Sequence, residues 1–340
     1  MTDDTASAQP SPATLAIREA LSGLPKEFQG FDQIFEERIR PSLQAREADR
    51  IAATKRAIQS RWISGAILAA GVAGGIVTQA IWVPVIGVMI ALMVFAFGEQ
   101  GVSKLAKEAK GLIVVPIAEE LGIDFTIEPG TVDTIYQHKA LGLVPGWDRS
   151  KYEDLITGVR REVNFQLFEA HLEEKRTTTD SKGRTRTTWV TVFKGQCLRL
   201  DFHKTFYGRT LITRDAGFFN RLGSGQKGMQ RAGLEDPVFE KIFEVYTTDQ
   251  VESRYLLTPD LMQQFVDLET TFKGGNLKAC FDGGELLITL QGGNLFEPGS
   301  MFKPLDSADR VRELLNDFNA VFRIIDEVTN GRVRMEQNQS

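Results

Sequence analysis

The sequence predicts an α+β protein: N-terminal amphipathic helices, a two-helix transmembrane hairpin, and a C-terminal cytoplasmic domain of antiparallel strands with packed helices. Three observations predict it. The stretch Trp62–Gly98 contains no charged residue. Alternating apolar and polar residues, the mark of half-buried strands, begin only well after that stretch, as in "VNFQLFEAHLE". Apolar stripes at helical spacing then share the C-terminal region with those strands, which fits strands in hairpins beside helices and not a doubly wound parallel sheet.

The whole chain bounds the reading before any motif does. Its 340 residues leave room for two or three modest domains. With 45 acidic against 40 basic side chains, the formal net charge is -5. That balance argues against nucleic acid as a partner, which requires a strongly basic face. The two cysteines, Cys197 and Cys280, both lie in strand-like sequence and are expected as reduced core residues. Residues 1–14 are polar and acidic and read as a disordered tail without a signal-peptide pattern. Residues 331–340 form a second tail.

The uncharged run decides location. As one straight helix at ~1.5 Å per residue it would measure roughly 56 Å. The hydrocarbon core is only about 30 Å thick, so two short crossings fit it better. Near its midpoint lie Thr78 and Gln79, followed by Trp82 and Pro84. Pro84 suits the first turn of a second helix, where its missing N–H costs little. Trp62 and Trp82 fall where amphipathic aromatics collect at an interface. Small residues at four-residue spacing, Ala66, Ala70 and Gly74, offer a close-packing face that Gly87 and Ala91 could receive.

The flanks give orientation. Arg46, Arg50, Lys55, Arg56 and Arg61 precede the run, and Lys104, Lys107 and Lys110 follow it. Positive residues on both sides place both ends, and so both termini, in the cytoplasm. The expected organisation is a helical cytoplasmic segment at 15–61, the hairpin at 62–98, a helical linker leading into the domain at 99–160, and the α+β domain at 161–330. Within the first of these, Phe31, Ile34, Phe35 and Ile39 form a helical stripe that Pro41 interrupts. Within the linker, "KLAKEAKGLIVVPIAEELG" reads as a helix bent or ended near Pro116.

In the domain, Val163–Glu173, "TTWVTVFKG" and "QCLRLDFHK" read as three strands, with "TTTDSKGRTRT" as a polar hairpin loop. "NLKACFDGGELLITLQ" is a strand, a Gly-Gly turn and a strand. Thr258-Pro259-Asp260 starts a helix striped by Leu261, Phe265, Leu268 and Phe272. Asp306 is placed to cap a final helix bearing Val311, Leu314, Leu315, Phe318, Val321, Phe322 and Ile325, with Asn330-Gly331 as its stop. Twenty-two phenylalanines supply core volume.

No catalytic motif stands out, and no cofactor is expected. "GSGQKG" (223–228) matches G-x-G-x-x-G, but its flanks read as an irregular loop and not as a strand leading into a helix. His138, His171 and His203 are scattered and neither cysteine belongs to C-x-x-C. His171 and His203 lie in strand-like sequence near Glu169, Glu173 and Asp201, which is the basis for a rival reading as a membrane-tethered enzyme with a dispersed site. Lys175, Arg176, Lys182, Arg184 and Arg186 form a basic loop suited to anionic lipid, although acidic neighbours dilute it. Tyr246, Asp249, Glu252, Arg254 and Tyr255 could line a recognition surface. The bland reading competes there, because Asp249-Gln250-Val251-Glu252 has the form of a capping box.

That last stretch carries a family resemblance. "GLEDPVFEKIFEVYTTDQVESRYLLTPDLM", with "VFKGQCLRLDFHKTFYGRTLI" upstream, resembles a bacterial two-span membrane-protein family catalogued as domain of unknown function 3137. The resemblance extends over roughly Phe28 to Val328. It implies a charged leading helix, a membrane hairpin and a cytoplasmic α+β region, with the lipid bilayer and an envelope membrane protein as partners. It implies no activity, because the family has no assigned catalytic residues. The expectation is therefore a non-enzymatic binding or scaffold module at the bacterial inner membrane.

Overall fold

The computed structural model describes residues 17–19, 21, 25–202, 204–214, 228–234, 236–271 and 276–329. Both expected tails, His203, Phe272, the Asn330-Gly331 stop and all of "GSGQKG" except Gly228 lie outside the described residues. The chain divides into two compact units. One holds 1–121 and 296–317, the other 122–295 and 318–340.

The first unit is built on two long helices, Glu47–Thr78 and Trp82–Glu120. Each contains one half of the uncharged run at the turn end and charged sequence at the far end. The apolar portions, Trp62–Thr78 and Trp82–Gly98, each rise about 25 Å, close to the hydrocarbon thickness. Gln79, in the left-handed conformation at φ 54°, ends the first helix and allows the reversal. Both helices are long and apolar enough to cross a membrane, and little of either apolar window is buried. The α+β class and the pair of long apolar helices expected from the sequence are observed.

Local details depart from expectation. Pro116 does not end the second helix, which runs on to Glu120 with Ile113, Val114 and Ile117 buried around it. Packing of that apolar face offsets the one hydrogen bond the proline removes. Pro41 does not interrupt either. It sits early in Arg40–Ala45, directly after a π-turn at Phe35–Ile39, and the chain stays helical through it. Gly74, Gly87 and Ala91 lie in the close-packing seam as expected, but the rest of the first helix's contribution is turned from the expected face. Ala66 and Ala70 point outward, while Gly71 meets Gly87, Gly75 meets Pro84, and Ser64 Oγ donates to Ala91 O at 3.0 Å.

Among the described residues, the second unit contains an antiparallel nine-stranded sheet in the order β1-β2-β3-β4-β9-β8-β5-β7-β6. Its strands are β1 (Asp124–Thr126), β2 (Arg149–Arg160), β3 (Val163–Thr179), β4 (Thr185–Asp201), β5 (Thr210–Arg214), β6 (Gln230–Ala232), β7 (Phe243–Thr247), β8 (Lys278–Asp282) and β9 (Glu285–Gln291). The span 99–160, expected as a helical linker, thus also contributes β1, the short helix Thr134–Ala140 and β2. The alternation of β2 was obscured by a register shift between Glu153 and Ile156, where Asp154 adopts φ 56°.

Two expected strands merge into β4. Gly195 looked like a break, but it is a strand residue whose missing side chain lets the β9 backbone approach at Leu290 and Gln291. The β8–β9 hairpin is as expected, with Gly283 and Gly284 both at positive φ in the two-residue turn. Phe168, Phe193 and Cys197 pack with Tyr152 and Ile135 in one core cluster, and Cys280 packs with Leu211, Tyr246 and Leu287 in another. Both thiols are free and buried, and burial pushes both pKa values upward.

The final helix runs Ala308–Thr329, and its expected apolar stripe is buried. Asp306 lies two positions ahead of that helix and faces elsewhere. Its carboxylate accepts from Gln44 Nε2 at 3.4 Å and lies 4.0 Å from Arg40 Nε.

Candidate functional site

The region around Tyr246–Tyr255 is built by a strand running into a capped helix. β7 ends at Thr247, and Thr247 Oγ1 accepts from Asp249 N at 3.1 Å. Asp249 then caps the helix Gln250–Leu256, its Oδ1 accepting from Val251 N at 2.8 Å and Glu252 N at 3.0 Å. This satisfies two of the helix's orphan donors. The second half of a capping box does not form. Glu252 reaches away from Asp249 and accepts from Tyr207 N at 3.0 Å and Gly208 N at 2.5 Å, fastening the loop ahead of β5 to this helix.

The five residues singled out in the sequence therefore separate into two groups. Tyr246 is buried and its hydroxyl donates to Glu244 Oε2 at 2.9 Å. Asp249 and Glu252 are engaged within the domain. Arg254 and Tyr255 are exposed, and Arg254 makes no ion pair among the described residues. Lys204 donates from Nζ to Tyr255 O at 2.6 Å, lies 4.5 Å from the Tyr255 ring centroid, and has its pKa lowered by burial.

Tyr207, which sequence reasoning passed over, is 92% exposed at the tip of the loop that Glu252 holds. Val251 is exposed on the same helix as Tyr255, one turn earlier. Tyr207, Val251, Arg254 and Tyr255 are thus exposed side chains of this region, with the Tyr255 ring backed by Lys204. The available signal for Tyr207 was an aromatic-glycine pair outside any apolar stripe.

The basic loop is mostly not a loop. Lys175 and Arg176 belong to β3 and Arg186 to β4, with register pairs Lys175↔Trp189, Arg176↔Thr188 and Thr178↔Arg186. Opposed residues share a face and successive ones alternate, so Lys175 lies on one face of this ribbon and Arg176 and Arg186 on the other. Only Lys182 and Arg184 flank the turn, where Asp180 Oδ1 accepts from both their backbone N–H groups at 2.9 Å. Arg176 also pairs with Glu174 at 2.9 Å.

The histidines have separate environments. His138 is fully buried, with Nδ1 2.9 Å from Thr134 O, Nε2 3.3 Å from Leu198 O, and Phe168 edge-on to its ring. Burial pushes its pKa down, favouring the neutral ring. His171 meets Thr191 Oγ1 at 2.9 Å. Of its expected carboxylate neighbours, Glu173 is bound by Arg149 and Asp201 accepts from Asn164 Nδ2 at 2.7 Å. Among the described residues, no group of three His, Cys, Asp or Glu side chains comes together as a metal site.

The two tryptophans of the apolar run, Trp62 and Trp82, are exposed on their helices, and Pro84 lies in the first turn of the second helix. Arg61, just before the run, pairs with Glu99, just after it, at 2.8 Å. That ion pair closes the charged end of the apolar segment on both helices.

Fold and site together define an α+β protein with a membrane-length helical pair. Residues 191–330 match the family model described as protein of unknown function (DUF3137). The match contains the D-P-x-F and D-Q-V-E…R-Y motifs and agrees with the resemblance drawn from them. The crystal structure of the mycobacterial trehalose monomycolate transport factor A, TtfA, aligns with 64% of this chain and 96% of its own, at 11% identity and a TM-score of 0.31. A similarity at that level carries no argument about fold or function. No curated protein matches the sequence.

Proposed function

We propose that this protein is a membrane-anchored, non-enzymatic binding module of the bacterial inner membrane, with both termini and the sheet domain in the cytoplasm. The observation that carries this reading is the helical pair. Its outward side chains include Trp62, Ile63, Ile76, Val77, Ile86, Met89, Leu92, Met93 and Phe97, all exposed and without charge among them. A soluble hairpin would expose that surface to water at a cost proportional to its area, whereas a bilayer covers it. The basic excess at the far ends supports cytoplasmic termini.

On this reading the sheet domain recognises an envelope membrane-protein partner through Tyr207, Val251, Arg254 and Tyr255. Exposed tyrosines held by a rigid helix and a fastened loop supply contact area at low entropic cost, as binding surfaces require. Site-specific photocrosslinking in cells tests it. A benzoyl-phenylalanine at Tyr207 or Tyr255 is expected to trap one discrete membrane-protein adduct, which Arg254→Glu reduces and a probe at Lys182 does not reproduce. Identical adduct patterns from all three probes, or none from Tyr207 and Tyr255 in folded protein, would overturn the assignment.

A further inference from the structure

The loop that precedes the final helix, "FEPGSMFKPLD" (296–306), belongs to the same compact unit as the helical pair. It is pinned by charged groups. Arg50 Nη1 donates to Met301 O at 3.0 Å, Glu47 Oε2 accepts from Leu305 N at 3.2 Å, and Arg310 Nη2 donates to Ser300 O at 3.0 Å. Met301 and Leu305 are buried. A loop held at so many points would be expected to turn every large apolar side chain inward, yet Phe302 is 43% exposed. Lys303 and Pro304 beside it are also exposed.

The place of Phe302 explains the exception. Its ring centroid lies 5.0 Å from the guanidinium of Arg61. Arg61 is the last charged residue before the uncharged run, and its partner Glu99 is the first after it. Phe302 therefore packs on the charged collar where the apolar run of the helices begins, on the residue that immediately precedes the exposed Trp62. An aromatic ring flanked by a lysine and an arginine at that level has the chemistry of the headgroup–acyl boundary.

We propose that the Phe302–Lys303 tip is an interfacial anchor: the phenyl ring enters the boundary of the cytoplasmic leaflet and Lys303 meets anionic headgroups. The proposal commits to lipid because the tip packs on Arg61, the residue at which the exposed apolar run beginning with Trp62 and Ile63 starts. It rests on the reading that the helical pair spans a bilayer. Its consequence is that the loop, and with it the start of the final helix, is held against the membrane at a third point besides the two helices.

The test uses the full-length protein in vesicles of phosphatidylethanolamine and phosphatidylglycerol. An environment-sensitive nitrobenzoxadiazole label is attached at Phe302→Cys, at Lys303→Cys, or at Met93→Cys on the outward face of the second helix. Quenching by lipids spin-labelled near the headgroup is compared with quenching by lipids labelled deep in the chain. The label at 302 is expected to emit blue-shifted light and to be quenched at least threefold more by the shallow probe. The label at 93 is expected to favour the deep probe, and the label at 303, which leaves the phenyl ring intact, the shallow one. Water-like emission at both 302 and 303 with deep quenching at 93 would overturn the anchor while the spans stand. Water-like emission at 93 would overturn the spans and the anchor with them.

Discussion

The helical pair and the sheet domain spend their apolar residues in opposite directions. In the sheet, Leu286, Leu287, Ile288 and Leu290 of β9 are all buried, and large phenylalanines fill the volume between elements. In the helical pair the large residues face outward, and the two helices meet through Ser60, Ser64, Gly71, Gly87, Ala91 and Gly98. One unit is held by side-chain volume removed from water. The apolar portions of the two helices instead meet by close backbone approach, as expected where the surroundings are as apolar as the side chains. A variant that removes a glycine should accordingly injure only the unit in which the glycine serves a close approach.

The largest effect is expected at Gly195. A Cβ there would overlap Leu290 O, a backbone atom that cannot swing aside. Gly195→Val should cost about 4 kcal/mol or more, enough to unfold the sheet domain, while membrane insertion persists. Limited proteolysis of membranes would show it as loss of a protected domain. Retained protection would mean that the β4–β9 register slips to accommodate the side chain.

Next comes Gly87→Leu. A Cβ at Gly87 lies 3.1 Å from Gly71 Cα, so a leucine must push the helices apart, at about 1–3 kcal/mol. Crosslinking between Ser64→Cys and Ala91→Cys with a short bifunctional reagent should fall severalfold in this background. The thermal melt of the sheet domain should not move. A shifted melt would break the contrast between the units.

Asp317 sharpens the contrast with charge. Its Oδ2 accepts from Phe296 N at 2.7 Å, and burial first, then Glu313 and Glu297, push its pKa up to about 6, against the pull of Phe296 N–H and Lys110. A carboxyl whose folded pKa is raised costs stability once it ionises. The cost is absent below the unfolded value near 4, grows between pH 4 and 6, and is complete above it. Asp317→Asn keeps an acceptor for Phe296 and should stabilise by on the order of 2 kcal/mol at pH 7.5. At pH 4 the gain should vanish. Thermal melts at the two pH values check this, and equal gains at both would contradict the cause assigned.

The smallest effect is expected at Asp249→Ala, which removes a cap worth about 1 kcal/mol. The melt should drop by a few degrees, with Tyr207 still held by Glu252.

Much of this was legible in the sequence, for identifiable reasons. Absence of charge over Trp62–Gly98 is a property of the residues alone, so the helical pair could be read directly. Which small residues form its seam could not. Several sets share four-residue spacing, and only the rotation about the helix axis, fixed by Ser64 and Gly87, selects Gly71 over Ala70. The Gly-Gly turn of β8–β9 announced itself through backbone chemistry. Gly195 misled because a strand glycine looks the same whether it ends a strand or admits a neighbouring one. At the candidate surface, Asp249 revealed its capping role by position, whereas Glu252 turned to a loop more than forty residues earlier. Contacts of that range leave no local pattern, and Tyr207 was missed with them.

The most direct test of the account is topology. The native thiols Cys197 and Cys280 are buried with raised pKa values, so they stay silent toward maleimide without denaturant. Reporters at Thr78→Cys in the inter-helix turn and Lys182→Cys at the exposed ribbon turn can then be read in intact spheroplasts with a membrane-impermeant maleimide. The account predicts labelling at 78 from outside, and labelling at 182 only after lysis. Labelling at 182 from outside would place the sheet domain in the envelope and contradict it.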